Sequence, residues 1–304
     1  TMLPPDDFDP PVGTAITLEP GLRRIVADNP SPMTYRGTNT YLLGTSDIAV
    51  IDPGPLSDAH LHAILEAIGP NQHISHIIVT HTHLDHSPLA RQLSTTSGAP
   101  ILGFGDATAG RSSVMKQLML DTELGGGEGI DASFSPDRHL KDGDTVVGDT
   151  WRLDVIHTPG HIGNHICLGW EDACFTADHV MGWASSLVSP PDGDLTDFMT
   201  SCARLQAQDW RVFYPGHGGP VTDPAARLAW LISHRMTREA EILAVLNNGP
   251  ATANEIAQKI YTATPAALLG AATRNVLAHL IDLTGKSAVV PLGELSQTTR
   301  FDLK

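Results

Sequence analysis

Short apolar runs bounded by Gly and Pro alternate with amphipathic stretches along most of the chain. Runs at residues 39–43, 48–52, 74–80, 100–103, 150–156, 165–168, 173–176 and 211–214 have the length and composition of buried strands. Residues 57–68 have helical spacing instead. Leu61, Ile64, Leu65 and Ile68 share one face, and Ser57 is a fitting N-cap. Residues 89–97 and 197–206 read as further helices. A long amphipathic helix is predicted over 224–247, with Leu228, Leu231, Ile232, Ile242, Leu243 and Leu246 as its apolar stripe and Gly249-Pro250 as its stop. Helices over 253–261, capped by Thr252 or Ala253, and over 266–284 come next. Strands at 287–292 and 298–303 flank Gly293-Glu294, so the tail has the order of a small winged helix. No repeat of 20 to 50 residues is visible. The mixture predicts an α+β fold, two sheets with helices outside, over residues 1–222, and a winged-helix-like unit over 223–304.

Residues 112–143 break this rhythm. A helical stretch at 114–120 runs into Gly125-Gly126-Gly127-Glu128-Gly129. The glycine run lacks the Lys-Ser/Thr of a phosphate-binding loop, which excludes that mode of nucleotide binding. It predicts a flexible hinge, or a lid over a site.

Composition narrows the class. At 304 residues and 41% apolar, the chain is long enough to bury a core without staples and too apolar to be disordered. No apolar stretch approaches the ~18 residues of a membrane span. The net charge is −15 and unevenly spread. Residues 1–222 hold 11 basic against 27 acidic side chains, and residues 223–304 hold 8 against 7. This balance disfavours passive capture of nucleic acid or anionic membrane, and bound cations would offset part of the acidity. Cys167, Cys174 and Cys202 form no disulfide framework; they predict reduced thiols, buried small apolar side chains and a cytoplasmic protein. No basic-then-apolar segment opens the chain, so a secretion signal is not expected.

The chemistry concentrates in Thr80-His81-Thr82-His83-Leu84-Asp85-His86. Side chains alternate with period two at a strand end, which puts His81 and His83 on one side, and a following turn can bring Asp85 and His86 back to the same space. Imidazole and carboxylate suit zinc and other borderline divalent metals. Three later segments, Thr158-Pro159-Gly160-His161, Ala177-Asp178-His179 and Tyr214-Pro215-Gly216-His217, each carry one further ligand-capable side chain on the turn after an apolar run. Their glycines allow sharp turns and close backbone approach.

These segments resemble the metallo-β-lactamase-fold hydrolases: the HxHxDH motif is His81, His83, Asp85 and His86, and the later ligands match His161, Asp178 and His217. The match covers roughly residues 12–222, with Arg36-Gly37-Thr38-Asn39-Thr40-Tyr41 and Ile51-Asp52-Pro53-Gly54 resembling early strands. Ser189-Pro190-Pro191-Asp192-Gly193-Asp194, Ser233-His234-Arg235-Met236-Thr237-Arg238-Glu239 and the tail resemble the lactamase-beta-like subfamily with a C-terminal winged helix. The resemblance implies an αββα sandwich and two divalent metal ions, zinc by preference. His81, His83 and His161 would hold the first, Asp85, His86 and His217 the second, and Asp178 would bridge them. Water between the metals would be acidified and attack as hydroxide, with Asp85 orienting it and accepting a proton. Asp52 would buttress a ligand from behind. His157, His165 and His179 are expected to support the site at most. His60, His62, His73, His76, His139, His234 and His279 read as ordinary surface or hydrogen-bonded residues.

Such a site does not choose its substrate. Subfamily members include thioesterases of polyketide pathways and endoribonucleases acting on single-stranded RNA. The acidic first part favours a small-molecule thioester or related activated acyl bond. Lys259, Arg274, Lys286 and Arg300 are too few and scattered for a clear RNA surface, so RNA is the alternative partner. Lactone or β-lactam hydrolysis ranks lower. The apolar stripe over 228–246 also raises the expectation of a homodimer.

Overall fold

The computed structural model describes residues 7–120, 125–262 and 268–304. Two sheets pack face to face. The first has seven strands in sequential order: β1 (Ile16–Glu19), β2 (Leu22–Val26), β3 (Asn39–Leu43), β4 (Asp47–Ile51), β5 (His73–Ile78), β6 (Ile101–Gly103) and β7 (Arg138–His139). It is antiparallel from β1 to β4 and parallel from β4 to β7. The second has five strands. β8 (Thr145–Val147), β9 (Arg152–His157), β10 (Ile166–Trp170) and β11 (Ala173–Ala177) are antiparallel neighbours, and β12 (Val212–Pro215) runs parallel to β11.

The apolar runs are nearly continuous because both faces of the strands are covered. Alternation then sorts them. Tyr41, Leu43, Ala49, Ile51 and Ile78 face Val155, Ile166, Leu168, Phe175 and Tyr214 between the sheets. Leu42, Ile48, Val50 and Ile77 point outward under α1 (Asp58–Glu66) and α2 (Ala90–Ser97). On the far side, Ile156, Cys167, Cys174 and Phe213 lie under α4 (Leu195–Gln206) and the start of α5 (Pro224–Leu246). All three cysteines are buried free thiols, as the apolar context predicts. α3 (Ser113–Leu118) packs away from the sheets, with Met115 and Leu118 in the C-terminal core.

The C-terminal part comprises β13 (Ala251–Thr252), α6 (Ala253–Ile260), α7 (Leu269–Gly285), β14 (Val289–Pro291) and β15 (Arg300–Leu303), with a small sheet ordered β13-β15-β14. Thr252 caps α6 reciprocally: its hydroxyl accepts from the Glu255 amide and Glu255 accepts from the Thr252 amide. The helix expected from residue 266 begins at Leu269, with 266 and 267 outside the described residues.

The stripe on α5 does not face solvent. Leu228 and Leu231 complete the core over the second sheet, while Ile242 and Leu246 enter the C-terminal core. One helix therefore serves two cores, and the stripe gives no reason for a dimer. The short strands β1, β2, β7, β8 and β13 are absent from the sequence reading. β1 and β2 carry polar residues within the run, and the other three span only two or three residues. No helix among the described residues is long and apolar enough to cross a membrane.

Candidate metal centre

The C-terminal ends of β4, β5, β9, β11 and β12 meet along one rim of the sandwich, and every sequence-derived ligand follows one of them. The two sheets are stitched there. The Asn39 side-chain amide donates to the Pro215 and Gly218 carbonyls, and the Ile166 amide donates to the Thr80 carbonyl. β5 stops at Ile78, two residues before the sequence reading places its end. Asp52 is the reason: its carboxylate takes the Thr80 amide at 2.8 Å and the Thr80 hydroxyl at 2.7 Å, replacing ladder partners. His81 and His83 therefore converge from a loop rather than by strand alternation, with ring centroids 4.8 Å apart.

Two groups of ligand-capable side chains result. One contains His81, His83, His161 and Asp178; the other contains Asp85, His86, His217 and Asp178; within each, one ligand atom per residue lies within 4.8 Å of all others. All seven predicted ligands are thus brought together, and Asp178 belongs to both groups. Four ligands around one tetrahedral zinc-like ion stand about 3.3 Å apart, given bond lengths of roughly 2.0–2.1 Å. In the second group, His217 Nε2 lies 3.1 Å from Asp85 Oδ2 and 3.4 Å from Asp178 Oδ2, and His86 Nε2 lies 3.3 and 3.4 Å from Asp85 Oδ2 and Asp178 Oδ1. In the first, His161 Nε2 lies 3.0 Å from His83 Nδ1 and 3.6 Å from Asp178 Oδ2, and His81 Nε2 lies 3.9 Å from Asp178 Oδ2.

Hydrogen bonds from behind fix which ring nitrogens carry protons. His86 Nδ1–H donates to Asp52 at 2.9 Å, and His217 Nδ1–H donates to the Gly37 carbonyl at 3.1 Å. His161 Nδ1–H donates to the Leu187 carbonyl at 2.7 Å. The Thr80 hydroxyl, having given its proton to Asp52, accepts from His81 Nδ1 at 3.0 Å. Each Nε2 lone pair is therefore aimed inward. His86 and His217 present such lone pairs to each other at 3.3 Å, beside two carboxylates. A cluster made only of acceptors needs a cation or protons between its members. His81 Nε2 and Asp178 Oδ1 are moreover buried with no hydrogen-bond partner among the described residues, an arrangement that costs free energy unless something binds them. The donor set fits a pair of divalent cations.

Electrostatics divides the groups. Burial holds His81 well below the ordinary imidazole range and His83 down to about 3. Burial opposes charge on His86 and His217 too, but Asp85 and Asp178 outweigh it, lifting His86 well above the usual range and His217 to about 9. Asp85 and Asp178 are held well below the carboxylate range: burial works the other way, but His86 and His217 prevail. Two glycines permit the close packing. A Cβ on Gly216 would stand 2.3 Å from Asp178 Oδ1, and one on Gly160, at φ +147, would stand 2.4 Å from the Phe198 backbone.

The remaining histidines lie elsewhere. His165 is buried on the Thr158 hydroxyl at 2.9 Å, its ring 5.0 Å from that of His81. His157 Nε2–H donates to the Gly163 carbonyl of its own loop, and the ring stacks on Phe104. His179 turns away from the centre onto Cys202 and Phe198. His60 is buried on the Thr40 hydroxyl at 2.8 Å. His279 departs from the expectation of a surface or hydrogen-bonded residue: it is buried, and neither ring nitrogen has a partner among the described residues. Helix α7 carries it into the interior, which its polar character does not foretell.

Other site features come only from the tertiary structure. The glycine run is pinned rather than free. The Gly127 amide donates to Asp192 at 2.7 Å, the Leu84 amide donates to the Gly129 carbonyl, Ile130 bridges to His83, and Glu128 pairs with Arg274 of α7. His83, His161, Leu187, Asp192, Glu128 and Arg274 thereby line a slot of ≈ 60 Å³. Arg235 of α5 is buried with no carboxylate partner among the described residues, and it donates to the Ser186 carbonyl at 2.5 Å and to Asn275 at 2.6 Å. Arg227 donates to the Met181 and Ala184 carbonyls. The loop that presents the Leu187 carbonyl to His161 is thus clamped to α5. Arg235 lies inside the Ser233–Glu239 stretch, where its motif was visible but its partner was not.

Similarity to known proteins agrees with this construction. Residues 33–231 match the metallo-beta-lactamase superfamily model, and residues 252–292 match the beta-lactamase associated winged helix domain. A beta-lactamase-like protein 2 homolog of Drosophila melanogaster is 31% identical over 86% of this chain and 86% of its own. An atrochrysone carboxyl ACP thioesterase of Aspergillus fumigatus is 29% identical over 82% of this chain and 76% of its own. Among solved structures, a beta-lactamase domain protein from Burkholderia ambifaria superposes with a TM-score of 0.81 at 21% identity, covering 99% of this chain and 97% of its own, which shows a shared fold. With an αββα sandwich, a seven-residue His/Asp cluster on its rim and a winged helix behind it, the chain belongs to the metallo-beta-lactamase superfamily of hydrolases.

Proposed function

We propose that the protein is a dinuclear zinc hydrolase of small-molecule thioesters, with residues 1–222 as the hydrolase unit and 223–304 as the winged-helix unit. The observation that carries the reading is the pair of four-ligand groups sharing Asp178, with orphaned acceptors at their centre. His81, His83 and His161 would hold one ion and Asp85, His86 and His217 the other, with Asp178 available to both. Bound there, the pair of cations supplies an acidified water and a Lewis acid for the scissile carbonyl. The chain's own residues do the rest. Asp52, the Gly37 carbonyl and the Leu187 carbonyl keep His86, His217 and His161 in the tautomer that directs a lone pair inward. Asp85 is the most open of the carboxylates, its side chain 24% exposed, and would orient the attacking water and take its proton.

The thioester preference rests on two supports. A relative bears the name of an acyl-carrier-protein thioesterase. Three of the four scattered tail cations, in addition, already face carboxylates: Arg274 pairs with Glu128, Lys286 with Glu239 and Asp282, and Arg300 with Glu255. The test is a panel on metal-analysed protein comparing an acyl thioester, a lactone, a β-lactam, a phosphodiester and single-stranded RNA. The thioester is expected to turn over fastest, with about two metals per chain. Efficient RNA cleavage at physiological salt, lost on deleting residues 223–304, would replace the substrate class.

A further inference from the structure

The slot above His83 and His161 is closed by one ion pair between distant parts of the chain. Arg274 reaches it from α7, and Glu128 from the glycine run. The guanidinium grips the carboxylate with both prongs, Nη1 to Oε2 at 2.9 Å and Nη2 to Oε1 at 3.1 Å. At ≈ 60 Å³ the slot, with the pair in place, is far smaller than the roughly 300–1,000 Å³ of a site that takes a whole organic ligand.

Three features set Arg274 apart. It is the one cation among the described residues that line the slot. Asp192, which also lines it, is already neutralised from behind by Arg111 at 2.6 Å, whose own side chain is only 4% exposed. Glu128, by contrast, is a replaceable partner. Its side chain is 76% exposed, so water and salt screen the pair and can replace it. It sits between Gly127 and Gly129, both at positive φ, where the backbone tolerates rotation that other residues resist. The root of the loop is held at Gly127 by Asp192, so release of Glu128 need not unravel it. A planar guanidinium matches carboxylate or phosphate oxygens in the same two-pronged way.

We propose that Arg274 is the specificity-determining residue of this site, binding an anionic group of the substrate, and that Glu128 occupies its place as an internal competitor until substrate arrives. This rests on the thioester reading above. The substrate class is therefore an acyl thioester bearing either a carboxylate on the acyl chain or a phosphate on the thiol carrier. Binding exchanges one anion for another on the guanidinium, frees Glu128 to solvent and opens the slot to the metal groups. The winged helix then contributes directly to substrate choice, through one side chain.

The experiment uses full-length, metal-loaded enzyme and three thioesters: a neutral acyl group on N-acetylcysteamine, a carboxylate-terminated acyl group on the same thiol, and the neutral acyl group on phosphopantetheine. Arg274→Ala should raise KM about tenfold or more for one anionic substrate, leave its kcat within about twofold, and cause no rise in KM for the neutral substrate. Whichever anionic substrate responds identifies the source of the anion. Glu128→Gln should move KM the opposite way, several-fold lower for that same substrate. The same two variants are measured by calorimetry on non-hydrolysable thioether versions of the three compounds, so anion capture is read even if no thioester is hydrolysed. Absent turnover by the wild type would remove the thioester reading alone. Equal losses for neutral and anionic ligands in Arg274→Ala, or no gain in Glu128→Gln, would overturn the proposal and reduce the pair to a loop fastening.

Discussion

His86 and His217 lean on acceptors that belong to the first sheet and its loops, Asp52 and the Gly37 carbonyl. His161 leans instead on the Leu187 carbonyl, in a loop that Arg227 and Arg235 tie to α5. The two ligand groups share Asp52, which serves His86 directly and His81 through Thr80, but His161 ties the first group to a different part of the chain. The second is built into the sandwich. The first borrows its rigidity from a helix whose far end lies in the C-terminal core. Their charge states differ in the same sense. Burial keeps His81 and His83 neutral, while Asp85 and Asp178 keep protons on His86 and His217. A winged helix behind a hydrolase core can thus affect chemistry without touching the reacting atoms.

The most damaging single change should be Asp178→Ala, because it strips a ligand from both groups. Elemental analysis should find both metals depleted, with turnover reduced beyond the 10–100-fold typical of a supporting residue. Retention of two metals and wild-type turnover would make Asp178 a turn residue. Asp52→Ala should come next. It removes the acceptor of His86 directly and that of His81 through Thr80. Chelator competition should show affinity about 10–100-fold lower at the second group and a smaller loss at the first.

Metal uptake by the metal-free protein offers a sharper separation. A ligand that carries a proton must lose it to bind a cation. His217, lifted to about 9, is protonated at pH 7, so affinity at the second group should rise with pH and level off above about 9. His81 and His83 are held neutral by burial, so these two ligands should add almost nothing to the pH dependence of the first group between 6 and 9. Calorimetry in buffers of different ionisation enthalpy reads the released protons; equal release by both steps would erase the distinction.

Arg235→Met tests the borrowed rigidity while keeping most of the side-chain volume. Loss of the Ser186 bond should weaken the first group by roughly tenfold and leave the second unchanged, with Arg235→Lys in between. Equal weakening of both would mean that α5 supports the whole centre. The smallest effect belongs to Thr252→Ala, which removes the reciprocal cap of α6 at a cost of about 1 kcal/mol. Thermal unfolding should register it, and any change in metal affinity should again fall on the first group.

Much of this centre was legible without coordinates. Seven His and Asp side chains, each just after an apolar run, lie in the two groups that the motif predicts. Strands buried on both faces write themselves as apolar runs, and helices as 3.6-residue stripes, so β3, α1 and α5 stand close to their expected bounds. Of the two candidate caps for α6, Thr252 holds the place, and its exchange with Glu255 acts over three residues. By contrast, β7 and β13 span two residues each and owe their pairing to distant neighbours. The stripe on α5 announced burial but not against what, because hydrophobic burial has no direction in sequence.

What the sequence determined by itself is therefore local: element types, caps, the order of the ligands and their chemical kind. These follow from periodicity and from donor chemistry carried within a few residues. Only the tertiary structure decided which carbonyl holds which histidine, that Asp52 serves His86 directly and His81 through a threonine, and that Arg274 closes on Glu128 across 146 positions of the chain. Hydrogen bonds and ion pairs act over about 3 Å of space, and residues far apart in sequence reach that range only when the packing of both sheets and the C-terminal core has placed them there.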